Sequence, residues 1–196
     1  MGKWILIGVV GVIVVGVLLT VGTLIGGYNS LVQLDTTVDN SWAQVENQLQ
    51  RRNDLVPNLV ETVKGIAQQE QEVFGAIADA RARMAGAKSP SETMQAGRSM
   101  DSALGRLFLI VENYPQLRSS ENFMKLQDEL AGTENRIAVE RKRYNDSVRN
   151  INATVKTFPV ILYASAFGFG EREYFEAVEG AETPPQVQFT DDEDDA

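Results

Sequence analysis

The stretch QLQRRNDLVPNLVETVKG, residues Gln48 to Gly65, decides how the first half of this chain folds. It has the composition of a helix, but Pro57 stands inside it. A proline in a helix interior removes one backbone hydrogen bond and collides with the carbonyl four residues earlier, at a cost of roughly 3 kcal/mol. The stretch is therefore either a turn between two helices or a bend within one long helix.

The spacing of apolar residues favours the bend. Apolar residues recur at alternating steps of four and three, which is the spacing of one helix face, and thirteen of sixteen such positions are apolar. The positions are Leu31, Asp35, Val38, Trp42, Val45, Leu49, Arg52, Val56, Leu59, Val63, Ile66, Glu70, Val73, Ile77, Ala80 and Met84. Because the register passes Pro57 without a slip, we expect one helix of about 55 residues, bent near Asn53 and able to continue directly from the segment before it.

An uncharged, apolar segment precedes this helix. No charged residue lies between Lys3 and Asp35, and the apolar run from Trp4 to Gly27 is 24 residues long. About 20 residues suffice to cross the hydrocarbon core of a bilayer. The run is longer than the apolar region of a cleaved signal peptide, and no small-x-small cleavage site follows it. The sequence therefore predicts that residues 1–27 form a retained transmembrane anchor.

Two further features of the anchor concern orientation and packing. Lys3 directly precedes the apolar run, whereas the first positive charge after the run is Arg51. This charge difference favours an amino terminus in the cytoplasm with the remainder of the chain outside. Gly22 and Gly26 form a G-x-x-x-G pair, which allows two membrane helices to approach closely. The alternative interpretation is that glycine is simply common in membrane helices.

The later helix boundaries follow from capping and proline signals. The sequence GAKSPSE carries a capping box with Ser89 as N-cap, and the helix that follows stops at Pro115. A third helix runs to Phe158, and VILYASAFGFG is expected to form a short helix that ends at Gly168. The prediction is an all-α chain: the anchor, then an elongated antiparallel bundle of three long helices and a short fourth over residues 28–170.

The negative charge lies in the tail. Residues 171–196 contain ten acidic side chains and a single basic one, Arg172, whereas the rest of the chain is neutral. A neutral body without a basic face argues against nucleic-acid binding, since phosphate contacts need clustered Lys and Arg. The Pro- and acid-rich sequence from Ala181 is typical of disorder, so we expect the tail to be largely disordered.

The composition also restricts the chemistry. The chain contains neither Cys nor His, which removes disulfides, thiol and Ser/His nucleophile pairs, and most zinc sites. A pair of glutamates could act as acid and base or bind a metal, but the alternating charges of ENRIAVERKRYN are typical of a solvated helix face with pairs such as Arg136–Glu140. Asn145-Asp-Ser and Asn152-Ala-Thr match the glycosylation pattern but lie within a predicted helix, so we do not interpret them as acceptors. The sequence therefore predicts no catalytic residue, cofactor or metal.

The charged residues near Pro57 are interpreted as architecture. We expect a charged layer at the bend, where the first helix faces the Arg- and Glu-rich third helix. The residues of this layer are Arg51, Arg52, Asp54, Pro57, Glu134, Arg136 and Arg141.

Several motifs together resemble one family. GYNSLVQLD, WAQVENQLQRRNDLVPNLVETVKG, ENYPQL and TENRIAVERKRYN, in that order and followed by Phe158-Pro159, resemble the LemA family of bacterial membrane proteins over roughly Gly27 to Phe175. The resemblance implies a single amino-terminal anchor, an elongated helical bundle and no established enzymatic activity. Related members are linked to bacterial membrane organisation, including magnetosome formation.

Three functional hypotheses follow. The first is a non-enzymatic scaffold in the bacterial inner membrane, single-pass with its bundle outside the cytoplasm, which associates with further copies of itself and organises membrane partners. The second is an adaptor that presents its acidic tail to a membrane protease or sensor. The third is a carboxylate-based metal hydrolase using Glu70 or the Glu134/Glu140 pair. The lipid bilayer is an expected partner in each case, and nucleic acid in none.

Overall fold

A computed structural model describes residues 2–67 and 69–175, which form helices and turns and contain no strand. The predicted all-α fold class is confirmed. The helices are α1 (Gly2–Lys64), α2 (Gln71–Gly86), α3 (Pro90–Glu112), α4 (Pro115–Arg118) and α5 (Glu121–Lys156). Two 3₁₀ turns follow, Val160–Leu162 and Ser165–Phe167, and residues 171–175 have no regular secondary structure. The predicted tail beyond Phe175 lies outside the described residues.

Helix α1 is continuous for 63 residues and passes through Pro57 without a break. The sequence argument against a turn at Pro57 is therefore confirmed, and so is the expectation that the apolar segment continues directly into the bundle. Of the helices in residues 2–67 and 69–175, only α1 is long and apolar enough to cross a membrane. Its apolar half is exposed, whereas its second half supplies one wall of the bundle.

The prediction that the first helix extends to Met84 was wrong. Helix α1 ends at Lys64, the amide of Ile66 bonds to the carbonyl of Val63 at 3.0 Å in a tighter turn, and a new helix begins at Gln71. The apolar spacing persisted because α2 buries a stripe of its own, against α3. A helical period cannot distinguish a helix that continues from one that begins again in phase.

The predicted short fourth helix is instead the pair of 3₁₀ turns. It ends as expected at Gly168, whose φ of +83° is a conformation that favours glycine. The predicted cap of α3 is confirmed, since the Ser89 hydroxyl accepts from the Glu92 amide at 3.2 Å. The Glu92 carboxylate reaches one residue further back than a standard capping box, to the Lys88 amide at 2.7 Å.

The helices pair as α1 with α5 and α2 with α3. Helix α5 runs antiparallel to α1, because Ser41 meets Ser147 at 2.9 Å while Arg52 meets Glu134 at 2.9 Å. The α2–α3 hairpin packs mainly on the far half of this pair, and the turn that joins α2 to α3 lies near Leu49, where a Cβ on Gly97 would be 3.9 Å from both Leu49 and Met84. The bundle therefore has four helices at the end remote from the anchor and two near it.

Two apolar cores match these two halves. The distal core joins α1, α2, α3, α4 and α5, and its fully buried members include Val56, Leu59, Val63, Ile77, Met100, Leu107 and Leu117. The proximal core joins α1 and α5 with Met94 at the start of α3, the 3₁₀ turns and the segment that follows them. Its members include Leu31, Val38, Val45, Leu49, Ile137, Val148, Ile151, Tyr163 and Phe175. Arg52 lies between Leu49 and Val56, at the level where one core gives way to the other.

Candidate functional site

The first polar site is the contact of Arg52 with two carboxylates, which we call the Arg52 layer. Arg52 lies on the apolar stripe of α1 and is 2 % exposed. Its Nη1 donates to Asp101 of α3 and, at 2.9 Å, to Glu134 of α5, while Nη2 donates to the Gly97 carbonyl at 3.4 Å. A guanidinium can satisfy several acceptors at once because its donors form a rigid planar fork. One side chain thus joins three helices.

Arg141 lies on the same face of α5, seven residues after Glu134. Its pKa is lowered, first by burial and further by the positive charges of Arg52 and Arg98, against the opposing influence of Glu134 and Asp101. Its guanidinium carbon lies 4.5 Å above the ring of Phe175. Arg141 therefore borders the Arg52 layer on one side and contacts the C-terminal segment on the other.

The other residues that were predicted to form the charged layer lie outside the Arg52 layer. Arg51 is exposed and shares a shallow surface groove with Arg136, beside acidic residues of α5. Asp54 accepts a hydrogen bond from Gln50 at 3.0 Å on the exposed side of α1. Pro57 is half-buried in α1. The structure thus brings Arg52, Glu134 and Arg141 together and adds Asp101, which lies on a different helix.

The glutamates considered for metal binding are separated. Glu134 bonds to Arg52, whereas Glu140, six residues along α5, bonds to Arg143 at 2.7 Å. Six residues turn a helix by about 240°, so the two side chains leave different faces. Glu70 precedes α2 at its N-cap position. In residues 2–67 and 69–175, no three His, Cys, Asp or Glu side chains are placed to hold a metal ion.

The second polar site holds residues 171–175, here called the C-terminal segment, against α1 and α5. Asn152 accepts from the Arg172 amide at 2.8 Å and donates to the Arg172 carbonyl at 2.9 Å. Asn145 does the same for Phe175, at 2.7 Å and 2.9 Å. Glu173 lies between these two residues of the segment, and its carbonyl accepts from the Tyr144 hydroxyl at 2.9 Å. The two asparagines form an amide clamp.

The spacing of the amide clamp matches the segment it holds. Asn145 and Asn152 are two helical turns apart, or about 10.5 Å along α5 at 1.5 Å per residue. Arg172 and Phe175 are three residues apart, which is about 10 Å for extended chain at 3.3–3.4 Å per residue. Because the two lengths agree, each side-chain amide can bond to both backbone groups of its residue, as a neighbouring strand would.

The side chains of the segment are also engaged. Arg172 bonds to Asp35 at 2.8 Å and 3.0 Å and to Asp39 at 2.9 Å. Burial alone would lower the pKa of Arg172, but the hydrogen bond and negative charge of Asp35, helped by Asp39, outweigh it and leave that pKa raised. Phe175 is 6 % exposed and packs near Trp42, at 6.5 Å between ring centroids. The predicted tail boundary at Glu171 therefore falls inside the packed part of the chain.

Sequence reasoning missed the amide clamp. Asn145 and Asn152 were considered only as possible glycosylation sites. They are seven residues apart, and each directly follows a residue of the apolar stripe of α5, Tyr144 or Ile151. Two amides at heptad spacing beside a buried stripe are a usable signal for a polar contact with another element. Their partners are backbone atoms, however, and these leave no trace in the sequence.

The two glycines of the predicted anchor-packing pair are exposed on α1. A Cβ at Gly22 or Gly26 would have no atom within 4 Å. Gly27 differs, because a Cβ there would collide with the Tyr163 hydroxyl. The chain thus needs glycine at 27 for its own packing, whereas the 22/26 surface stays open.

Comparison with known proteins shows the family of this chain. The model of the LemA family matches residues 41–189. Magnetosome protein MamQ 2 of Paramagnetospirillum magneticum is 27 % identical over 197 residues, covering 87 % of this chain and 72 % of the relative. MamQ of Magnetospirillum gryphiswaldense is 28 % identical, with coverage of 84 % and 71 %, and Protein LemA of Metamycoplasma hominis is 21 % identical, with coverage of 72 % and 67 %. With its apolar amino-terminal helix, this is a membrane-associated protein, and it belongs to the LemA family.

Proposed function

We propose that this chain is a non-enzymatic, membrane-anchored scaffold that associates with further copies of itself and organises partners in the membrane. The observation that carries the proposal is the continuity of α1: one 63-residue helix is both the apolar span and a wall of the bundle. At 1.5 Å per residue it is about 95 Å long. A helix that leaves the membrane without a hinge presents its bundle at a defined position relative to the bilayer.

The use of the charged residues supports the same function. Arg52, Asp101 and Glu134 join three helices at the level where the bundle changes from four helices to two. Arg172, Asp35 and Asp39 fasten the C-terminal segment. In both sites the polar groups hold elements of the fold together. The relatives named magnetosome proteins add support, since the proposal gives this chain a role in a membrane structure.

The partners in this proposal are the lipid bilayer, a second copy and a membrane protein. The second copy docks on the anchor, because Gly22 and Gly26 leave an open strip of α1 that another helix can approach. The membrane is the bacterial inner membrane, and the bundle lies outside the cytoplasm, following the charge of Lys3.

Co-purification tests the self-association. Two full-length copies with different tags are expressed together, crosslinked in the membrane and purified through one tag. We expect the second tag to co-purify, and Gly22→Leu with Gly26→Leu to reduce its yield several-fold. Gly8→Leu is the matched control, since Gly8 is equally exposed on α1 and lies outside the pair. Monomer alone after crosslinking of the unmodified chain would contradict the proposal.

Proteinase treatment of spheroplasts tests the orientation. With the bundle outside the cytoplasm, added proteinase should remove an epitope placed after Ala196 without lysis of the membrane. Protection of that epitope until lysis would place the bundle inside and reverse this part of the proposal.

A further inference from the structure

We propose that the turn after α5 inserts into the interfacial layer of the bilayer and gives the bundle a second membrane contact beside the anchor. This apolar turn, residues 157–170, includes both 3₁₀ turns. The inference rests on the anchor of the proposed function but does not depend on self-association.

The position of the apolar turn is the first argument. The antiparallel register that sets Ser41 beside Ser147 brings the end of α5 back towards the start of the bundle. Beyond it, the Tyr163 hydroxyl stands against Gly27, the last residue of the apolar run. Leu24, within that run, packs on the proximal core together with Val160. The apolar turn therefore lies at the level where α1 leaves the hydrocarbon.

The exposure of the apolar turn is the second argument. Phe158 is 75 % exposed, Ile161 53 %, Leu162 72 % and Phe167 49 %. The sequence from Thr157 to Gly170 contains no charged residue. The charges that flank it, Lys156 and Glu171, pair with each other at 2.7 Å. Large apolar side chains that are exposed together in one short turn indicate an interaction site, and at this level the surrounding medium is the bilayer surface.

The aromatic residues are the third argument. Tyr28, the first residue after the apolar run, has its ring 5.3 Å from Phe167 and 5.8 Å from Phe169, and Tyr163 lies 5.9 Å from Phe167. This group ties the apolar turn to α1. Tyrosine concentrates at membrane–water interfaces because its ring is apolar and its hydroxyl tolerates water, and two of these rings are Tyr28 and Tyr163. The occupant of the exposed surface is therefore lipid, at the boundary between headgroups and acyl chains, as for interfacial segments that enter about 5–10 Å deep.

Site-directed spin labelling tests the inference with the full chain in vesicles of phosphatidylcholine and phosphatidylglycerol. The chain has no cysteine, so one introduced cysteine carries the only label. The reporter is Leu162→Cys. Leu19→Cys, from a leucine 68 % exposed in the apolar run, reports hydrocarbon, and Leu109→Cys, from a leucine 65 % exposed on α3, reports water. Collisions with oxygen, which concentrates in lipid, are compared with those of a water-soluble nickel chelate.

We expect the label at 162 to favour oxygen over the chelate, though less strongly than the deeper label at 19, and the label at 109 to favour the chelate. Equal chelate access at 162 and 109 would overturn the inference. So would protection of 162 from both agents, which would show a protein partner on the apolar turn. A water-exposed label at 19 would instead refute the anchor, so the two failures are distinguishable.

A charge in the apolar turn provides a second measurement. Ile161→Asp should lift the apolar turn from the lipid and raise chelate collisions at a 162 label several-fold. Val139→Asp is the matched control, because Val139 is 50 % exposed on α5 and lies away from the turn. An unchanged chelate collision rate in the Ile161→Asp variant would also overturn the inference.

Discussion

Arg52 of α1 lies 2.9 Å from Glu134 of α5, and this contact marks the level at which the bundle narrows from four helices to two. Asp101 of α3 completes the layer. The Arg52 side chain is almost fully buried, whereas the side chains of its partners Asp101 and Glu134 are 38 % and 48 % exposed. This difference in burial matters for stability. The buried positive charge of Arg52 has no solvent to replace its two counter-charges, whereas water reaches both carboxylates.

Neutralising both acids should therefore destabilise the bundle. Asp101→Asn with Glu134→Gln leaves the Arg52 charge buried without a counter-charge. We expect the free energy of unfolding to fall by about 2 kcal/mol, less than for a fully buried pair because solvent reaches the acids. Urea denaturation of the full chain in detergent, followed by circular dichroism, measures it.

The control for that experiment is Glu129→Gln, an exposed acid on the same helix, which should change the unfolding free energy by at most about 0.5 kcal/mol. Adding Arg52→Met to the double variant should recover most of the loss, because a similar apolar volume needs no counter-charge. A double variant as stable as the control would show that the layer contributes nothing.

The amide clamp should govern release of the C-terminal segment. Asn152→Ala removes both bonds to the Arg172 backbone, and Asn145→Ala removes both to Phe175. With a net value of about 1 kcal/mol per neutral hydrogen bond, each substitution should raise the open fraction of the segment about tenfold or more. Trypsin cleavage after Arg172 reports this fraction, since the segment must leave the bundle to be cut.

Asn150→Ala is the matched control for the clamp, because Asn150 lies on the exposed side of the same helix. Its cleavage rate should equal that of the unmodified chain. If Asn145→Ala and Asn152→Ala were cut no faster than this control, the side-chain amides would not be what retains the segment.

Tyr144 should make stability fall at high pH. Burial raises its pKa, aided by Glu173 and Asp39 and opposed by Arg172. The folded state therefore keeps the proton longer than the unfolded chain, whose tyrosine pKa is about 10. The stabilisation is fully present below that pH and is lost as the pH rises from there through the higher folded-state pKa. Unfolding free energies measured across this range, together with tyrosinate absorbance, follow the change.

Tyr144→Phe isolates this contribution. The variant lacks the hydroxyl bond to Glu173, so it should be less stable than the unmodified chain at neutral pH and lose less stability above pH about 10. Parallel stability curves for the two proteins in the alkaline range would contradict the assignment to Tyr144.

Gly27→Ala should disturb the junction between α1 and the apolar turn. The added methyl group collides with the buried Tyr163 hydroxyl, and overpacking of this kind typically destabilises by about 1–3 kcal/mol. Gly26→Ala is the matched control: its methyl group meets nothing within 4 Å, so the helix should be unaffected or slightly more stable.

Removing the colliding atom should rescue the Gly27 variant. Tyr163→Phe in the Gly27→Ala background takes away the hydroxyl and should restore much of the lost thermal stability, measured as the midpoint of the helical circular dichroism signal. Equal melting midpoints for Gly27→Ala and Gly26→Ala, or no rescue by Tyr163→Phe, would show that the close approach of Tyr163 to Gly27 does not limit stability.

The sequence by itself determined the local features of this fold. The apolar run predicted the membrane-type helix, the unbroken register carried α1 through Pro57, and Ser89, Pro115 and Gly168 marked real boundaries. It also singled out Arg52 and Glu134, because charges on an apolar stripe must find partners when the stripe is buried. These features depend on neighbours along the chain, which the sequence displays directly.

Only the tertiary structure decided what depends on contacts between distant residues. It ended α1 at Lys64 and began α2 at Gln71, with a buried stripe of its own in the same register. It showed that Asp101 is the third member of the Arg52 layer. It also showed that the backbone amide of Phe175 donates to the side chain of Asn145. A helical period records which face is buried but not what covers it, and backbone partners have no residue type to read. Partner and register therefore become visible only when the helices are placed side by side.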